Sequence, residues 1–372
     1  MVSVLRLRRA LRFFVVLPIV LLAGCGDFFP PINGGGSSSG SDIVYVANAS
    51  STSVTAYAMS TGALVAVSGS PYTLSFTPTA IAVTPANTFV YVAGSGVVYV
   101  YSIGTGGVLT AANNGAAVAN GNVVSMDISP DGKWLFTLDA DGTTIEEYSI
   151  NTSTGILTAA SGALYTFGAG TTPVPKAIKV APNGNYVIVA LGTAGEIVYG
   201  FNTSTGAMSE SQRLSAPGST SDNAIAMDKN TAYLFIARSG NSAGLGVYTI
   251  GTGGALTIVS GSPFATSGQS TSVVVDNTAT YVYVGNQGDG TISGFTIGTG
   301  GALTALSGSP YSAGKTMTAL AADSTGKYIL AAANGGSPDL GMYAFDSSTA
   351  GRIYTVSSTT TAYGPVAVAV TH

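Results

Sequence analysis

Short strings of β-branched and aromatic residues recur along the chain. They are Val44-Tyr45-Val46, Val90-Tyr91-Val92, Leu135-Phe136-Thr137, Val187-Ile188-Val189, Leu234-Phe235-Ile236, Val282-Tyr283-Val284 and Ile329-Leu330-Ala331, a spacing of about 47 residues. A second ladder precedes each of the last six: Ile81-Ala82-Val83, Met126-Asp127-Ile128, Ile178-Lys179-Val180, Ile225-Ala226-Met227, Val273-Val274-Val275 and Leu320-Ala321-Ala322, with a seventh copy at Val368-Ala369-Val370. Between the two ladders lie tight-turn strings such as Ser129-Pro130-Asp131-Gly132 and Ala181-Pro182-Asn183-Gly184. Proline presets φ at the first turn position, and Asn, Asp or Gly accepts the left-handed one. A third strand in each repeat ends in an aromatic (Tyr57, Tyr101, Tyr148, Phe201, Tyr248, Phe295, Phe345), followed by a Gly-rich turn and a fourth strand. Helical periodicity is absent.

Four-strand units of this length in tandem predict an all-β protein, a β-propeller of four-stranded antiparallel blades. The two ends of the array complete one another. Residues 43 to about 76 supply the second, third and fourth strands of a blade, and residues 365–371 supply only a first strand. Six contiguous blades and one composite blade make seven, and closure removes the sheet edge that would otherwise template aggregation.

At Val282-Tyr283-Val284-Gly285-Asn286, Ser129-Pro130-Asp131-Gly132-Lys133, Gly300-Gly301-Ala302-Leu303-Thr304 and the repeated Ser-Gly-Ser-Pro-(Tyr/Phe), the chain resembles the lactonase-like seven-bladed propellers, which overlap the YVTN-repeat proteins. The resemblance covers about 42–372. It implies opening of 6-phosphogluconolactone or a related lactone reaction in an axial pocket furnished with His, Arg and Glu. The sequence departs from that set: its one histidine is His372, read here as exposed, and the arginines beyond the leader are Arg213, Arg238 and Arg352.

The first 24 residues read as a leader. Arg6, Arg8, Arg9 and Arg12 precede the apolar run 13–23, too short to span a bilayer and suited to a signal peptide. Leu22-Ala23-Gly24-Cys25 resembles a bacterial lipobox, so Cys25, the only cysteine, is the expected lipidation site. Residues 25–41 form a Gly/Ser-rich tether, which as a coil spans ~20–24 Å. Asp27 does not directly follow the cysteine, which points to the outer membrane, on a side the sequence leaves open. The resulting layout is leader 1–24, lipidated tether 25–41 and propeller 42–372.

Composition narrows the chemistry. Only 8% of the 372 residues are charged. Four of the 13 basic residues precede Cys25 while all 17 acids follow it, leaving a net charge of −8 after that point. A net-acidic domain without a basic cluster is a poor nucleic-acid ligand. One Cys and one His exclude a Cys-clustered metal site and a His-rich one, and no cofactor is implied. Asp139-Ala140-Asp141-Gly142 resembles the opening of a calcium loop but lacks its later ligands, and reads as a hairpin turn. The face bearing the loops between second and third strands is expected to display Arg238, Asp139, Asp141, Glu196, Asn286, Asp289 and Asn241. Tyr72, Phe264 and Tyr311 are expected near it, packed between blades. Arg238 stands where other repeats carry a small Asn, and it is the favoured ligand-binding residue. The first expectation is therefore a monomeric, envelope-anchored module binding a glycan, peptide or envelope protein. The alternatives are a lactone hydrolase built on Arg238 and a nearby carboxylate, or an adhesive surface protein.

Overall fold

The second strand of each repeat is apolar at consecutive positions because both of its faces are buried. In Ile43–Asn48, Tyr45 and Ala47 pack against the following blade while Val44 and Val46 pack against the preceding one. Strands covered on both sides read as continuous hydrophobic runs instead of an alternation. The computed structural model describes residues 42–141, 144–166, 172–336 and 338–372. The predicted leader and tether, with Cys25, lie outside the described residues.

Among those residues the strands form seven antiparallel sheets. Blade 1 is Ile43–Asn48, Ser53–Ser60 and Ala63–Ala66 joined by Pro365–Val370; blades 2 to 7 span 80–120, 123–166, 177–214, 220–258, 270–312 and 317–359. The closure is the predicted one: Tyr45 pairs with Ala369 and Val46 with Val368. First strands of successive blades stand side by side, with that of blade 1 lying between those of blades 7 and 2, so the ring is complete. There is one apolar cluster at each of the seven seams between neighbouring blades. The core is thus divided into seven radial slabs. Full burial of one Val, Ile or Phe side chain in such a slab contributes about 1.5–3 kcal/mol.

Polar contacts fix the repeats locally. In the Ser-Gly-Ser-Pro strings the second serine accepts the third-strand amide, Ala56 to Ser70, Val247 to Ser262 and Gly294 to Ser309, each at 2.9 Å. Tyr72 and Tyr311 donate their hydroxyls to Ser68 and Ser307 carbonyls, so these aromatics serve packing, with Phe264 half-buried at the seam of blades 5 and 6. The fourth strand is broken in blades 1, 2 and 6, where a second short segment pairs with the third strand. Fully buried tyrosines on second strands reach the Gly-rich turn of the next blade: Tyr45 to the Gly107 carbonyl at 2.8 Å, Tyr91 to Gly155 at 2.8 Å and Tyr283 to Gly351 at 2.6 Å. At the seam of blades 3 and 4, Trp134 Nε1 does the same to the Thr203 carbonyl at 2.8 Å. The Gly-Thr-Gly-Gly strings form turns, as expected, and Gly107 belongs to one of them.

Candidate active site in the axial cavity

The first strands enclose a cavity of about 610 Å³ on the ring axis, within the range of small-molecule sites. Repeat register explains its walls. The middle residues of the seven first-strand strings are Ala82, Asp127, Lys179, Ala226, Val274, Ala321 and Ala369, and all seven line the cavity. Five are small or aliphatic, as crowding at the axis requires. The sixth and seventh form an ion pair: Lys179 Nζ lies 3.3 Å from Asp127 Oδ1, and Asp127 Oδ2 accepts the Val180 amide at 2.8 Å.

The mouth of the cavity is built from the turns that follow the first strands. Asp228, Asp276 and Asp323 each begin such a turn and accept its backbone amides, for example Tyr233 and Tyr281 at 2.6 Å and Tyr328 at 2.7 Å. These carboxylates are consumed by the fold. The next residue in the register is Lys229, Asn277, Ser324 and, on the closing strand, His372. His372 is held there by Asn87: its amide donates to Asn87 Oδ1 at 2.8 Å, and its carbonyl accepts from Asn87 Nδ2 at 2.7 Å. Sequence reading set this histidine aside as merely exposed. It is exposed as expected, and ring closure also carries this single imidazole to the cavity mouth. Blade 1 lies across the ring from blades 4 and 5, so His372 faces the side that bears Lys179 and Lys229. The arrangement offers a base, two ammonium groups and a carboxylate around an aliphatic pocket. Among the described residues, no cluster of three or more His, Cys, Asp or Glu is placed to hold a metal ion.

The residues chosen from sequence are placed elsewhere. They occupy, or lie within a few residues of, the position three beyond the centre of each second-strand string, whose seven occupants are Asn48, Gly94, Asp139, Leu191, Arg238, Asn286 and Ala333. This position is at the far end of the blade from the cavity mouth. Arg238, Glu196 and Asn286 have no exposed surface, which overturns their expected display on a loop face. Asn286 donates to Thr291 Oγ1 at 3.1 Å and Ser293 Oγ at 3.0 Å, tying its own sheet together. Asp289 is exposed and accepts the Ser267 hydroxyl. Asp141 and Asn241 are exposed. Asp139 is half-buried, and burial, with Glu146 and Asp141 nearby, raises its pKa to about 6.

Arg238 does meet carboxylates. Its Nε lies 2.6 Å from Asp222 Oδ1, and one terminal nitrogen lies 2.9 Å from Glu196 Oε1 and 3.0 Å from the Tyr248 hydroxyl. Gly246 makes the room: a Cβ there would stand 2.7 Å from the other terminal nitrogen. Burial alone would lower the arginine pKa, but the two carboxylates outweigh it and hold the cation. A carboxylate beside Arg238 was expected without being specified; the structure supplies Glu196 and Asp222, with Tyr248 beside them. A closed cluster without surface is a seam device and offers no entry to a substrate.

Fold and cavity place the protein among enclosed propellers, and comparison with known proteins makes the class specific. The family described as "Lactonase, 7-bladed beta-propeller" matches residues 37–171 and 231–367, and the chain belongs to it. Solved structures share the fold over nearly their whole length. A proposed 6-phosphogluconolactonase from Bacteroides uniformis is 15% identical, with a TM-score of 0.75, covering 88% of this chain and 99% of that one. A second, from Bacteroides fragilis, is 16% identical at a TM-score of 0.72, covering 91% and 100%. The periplasmic gluconolactonase of Pseudomonas aeruginosa is 14% identical at 0.72, covering 89% and 99%. At such identities the likeness is one of fold. No curated protein matches the sequence.

Proposed function

We propose that the protein hydrolyses sugar lactones in the axial cavity. The observation that carries this reading is the gathering of His372, Lys179, Lys229 and Asp127 around one pocket in a member of the lactonase propeller family. Hydrolysis of a lactone needs a base to take a proton from water and a donor for the carbonyl oxygen as it becomes an oxyanion. In this reading His372 is the base and Lys229, which forms no ion pair among the described residues, supports the oxyanion. Water adds to the carbonyl carbon, the ring C–O bond breaks, and the ring oxygen leaves as a hydroxyl after taking up a proton. The Asp127–Lys179 pair orients the sugar hydroxyls.

The leader favours unphosphorylated lactones, because phosphorylated sugars are cytosolic while this chain is expected at the envelope. A second reading, the binding module favoured by sequence alone, draws on the aliphatic cavity wall, whose two charged positions, Asp127 and Lys179, are paired with each other. Hydrolysis of glucono-1,5-lactone by the protein, followed by acid release, separates the two. Turnover above the spontaneous rate that falls at least tenfold in both His372→Ala and Lys229→Ala supports the enzyme. Saturable lactone binding without turnover supports the binding module. Neither turnover nor binding removes the cavity from consideration as a lactone site.

A further inference from the structure

The Arg238 cluster contains one guanidinium against two carboxylates in a site without solvent exposure. Glu196 begins the third strand of blade 4, whereas Asp222, Arg238 and Tyr248 lie on the first, second and third strands of blade 5. The cluster therefore crosses the seam between two blades. The loop above it belongs to the same device, since the Asp222 amide donates to the Gly192 carbonyl of blade 4 at 3.2 Å. Glu196 Oε2 and Asp222 Oδ2 are buried and have no hydrogen-bond partner in the protein. Ionised together, they would leave one uncompensated negative charge in a medium that solvates charge poorly.

We propose that Glu196 and Asp222 share one proton in the folded protein, and that losing it loosens the seam between blades 4 and 5. This inference is independent of the reading of the axial cavity. A single proton balances the cluster: one carboxylic acid, one carboxylate and one guanidinium sum to zero, and the acid hydroxyl gives an unpartnered oxygen a hydrogen bond. The groups that face Glu196 are Asp222, Arg238 and the Tyr248 phenol. The nearby Arg213 on the fourth strand of blade 4 is engaged by Glu210 at 2.8 Å. Burial, then the Asp222 charge, pushes Glu196 up to about 8 against the opposing pull of Arg238. The folded state thus keeps a proton that the unfolded chain releases near 4.5, and stability falls as pH rises through that window and levels off above about 8. Two carboxylates sharing one proton is a familiar outcome when like charges are forced together.

The test is urea unfolding of the protein and of Glu196→Gln between pH 5 and 9, with hydrogen exchange at the seam. Within the window, each pH unit changes the wild-type folding equilibrium by about tenfold more than that of Glu196→Gln. Asp222→Asn, the other half of the pair, flattens the curve in the same way and serves if the first variant does not fold. In the wild type, exchange at residues 191–195 and 220–224, corrected for intrinsic rates, accelerates between pH 6 and 9 relative to the seam of blades 1 and 2. Parallel stability curves for wild type and both variants, or seam exchange that does not change with pH, overturn the proposal.

Discussion

Removing the Tyr91 hydroxyl tests whether the seams are held by specific polar contacts or by apolar packing alone. Tyr91 has no exposed surface, and its hydroxyl donates to the Gly155 carbonyl of the next blade at 2.8 Å. Tyr91→Phe keeps the ring and nearly all the packing. It removes one hydrogen bond, worth about 0.5–1.5 kcal/mol net, and leaves a buried carbonyl without that partner, which costs about 1–3 kcal/mol. The expected loss is about 2 kcal/mol. With about 2.1 cal/mol/K of unfolding entropy per residue over roughly 330 residues, that lowers Tm by about 3 °C. The assay is urea unfolding and calorimetry of the wild type, Tyr91→Phe, and Tyr363→Phe as a control, because Tyr363 is 70% exposed. Tyr45→Phe and Tyr283→Phe should match the Tyr91 variant, since they make the same contact at other seams. A loss below about 0.5 kcal/mol in all three would refute the latch and leave the apolar slabs as the whole of the seam energy. Phe136, Ile188, Phe235 and Leu330 fill the corresponding positions without a hydroxyl, so four seams lack the tyrosine latch, one of them having the Trp134 bond in its place.

Two further outcomes follow from local geometry and charge. Gly107→Ala should lose about 2–4 kcal/mol in the same unfolding assay, because φ is +85° there and the new Cβ would stand 2.7 Å from Ile43 Cγ1 across the seam. Asp139 carries a pKa raised to about 6, so it releases its proton later in the folded protein than in the unfolded chain. Its contribution to stability is full below about pH 4 and is lost as pH rises to about 6, and Asp139→Asn should flatten that part of the curve.

The fold was legible because it is written seven times. A single repeat would have read as generic β structure, but two ladders in register define blade, seam and closure together. The Gly-Thr-Gly-Gly turns were legible for the same reason, whereas the hydrogen bond made by the serine of each Ser-Gly-Ser-Pro string was not. The sites were less so. Arg238 was chosen because an arginine replaces a small residue in the repeat, and that oddity is real. Its position, however, faces a neighbouring blade, so rarity marked a buried ion cluster and not a binding surface. Glu196 was named with it only as part of an exposed loop face, which burial overturns, and Asp222 was missed because it looks like any polar residue beside a loop. The aspartates that begin the turns after the first strands, Asp228, Asp276 and Asp323, left a repeating signal that comparison of equivalent positions would have found. The same comparison places His372 in the register of Lys229.

What the sequence by itself determined is therefore periodic: strand order, blade number, the composite closure and the small residues around the axis. These depend on local pattern and on the rule that every sheet edge must be paired or covered. Only the tertiary structure decided which side chains meet. Wrapping the chain brings residue 372 beside residue 87 and across from Lys179 and Lys229, and it sets Glu196 against Arg238, 42 positions later. Such contacts depend on how far the ring turns between blades, a rotation that no stretch of sequence records.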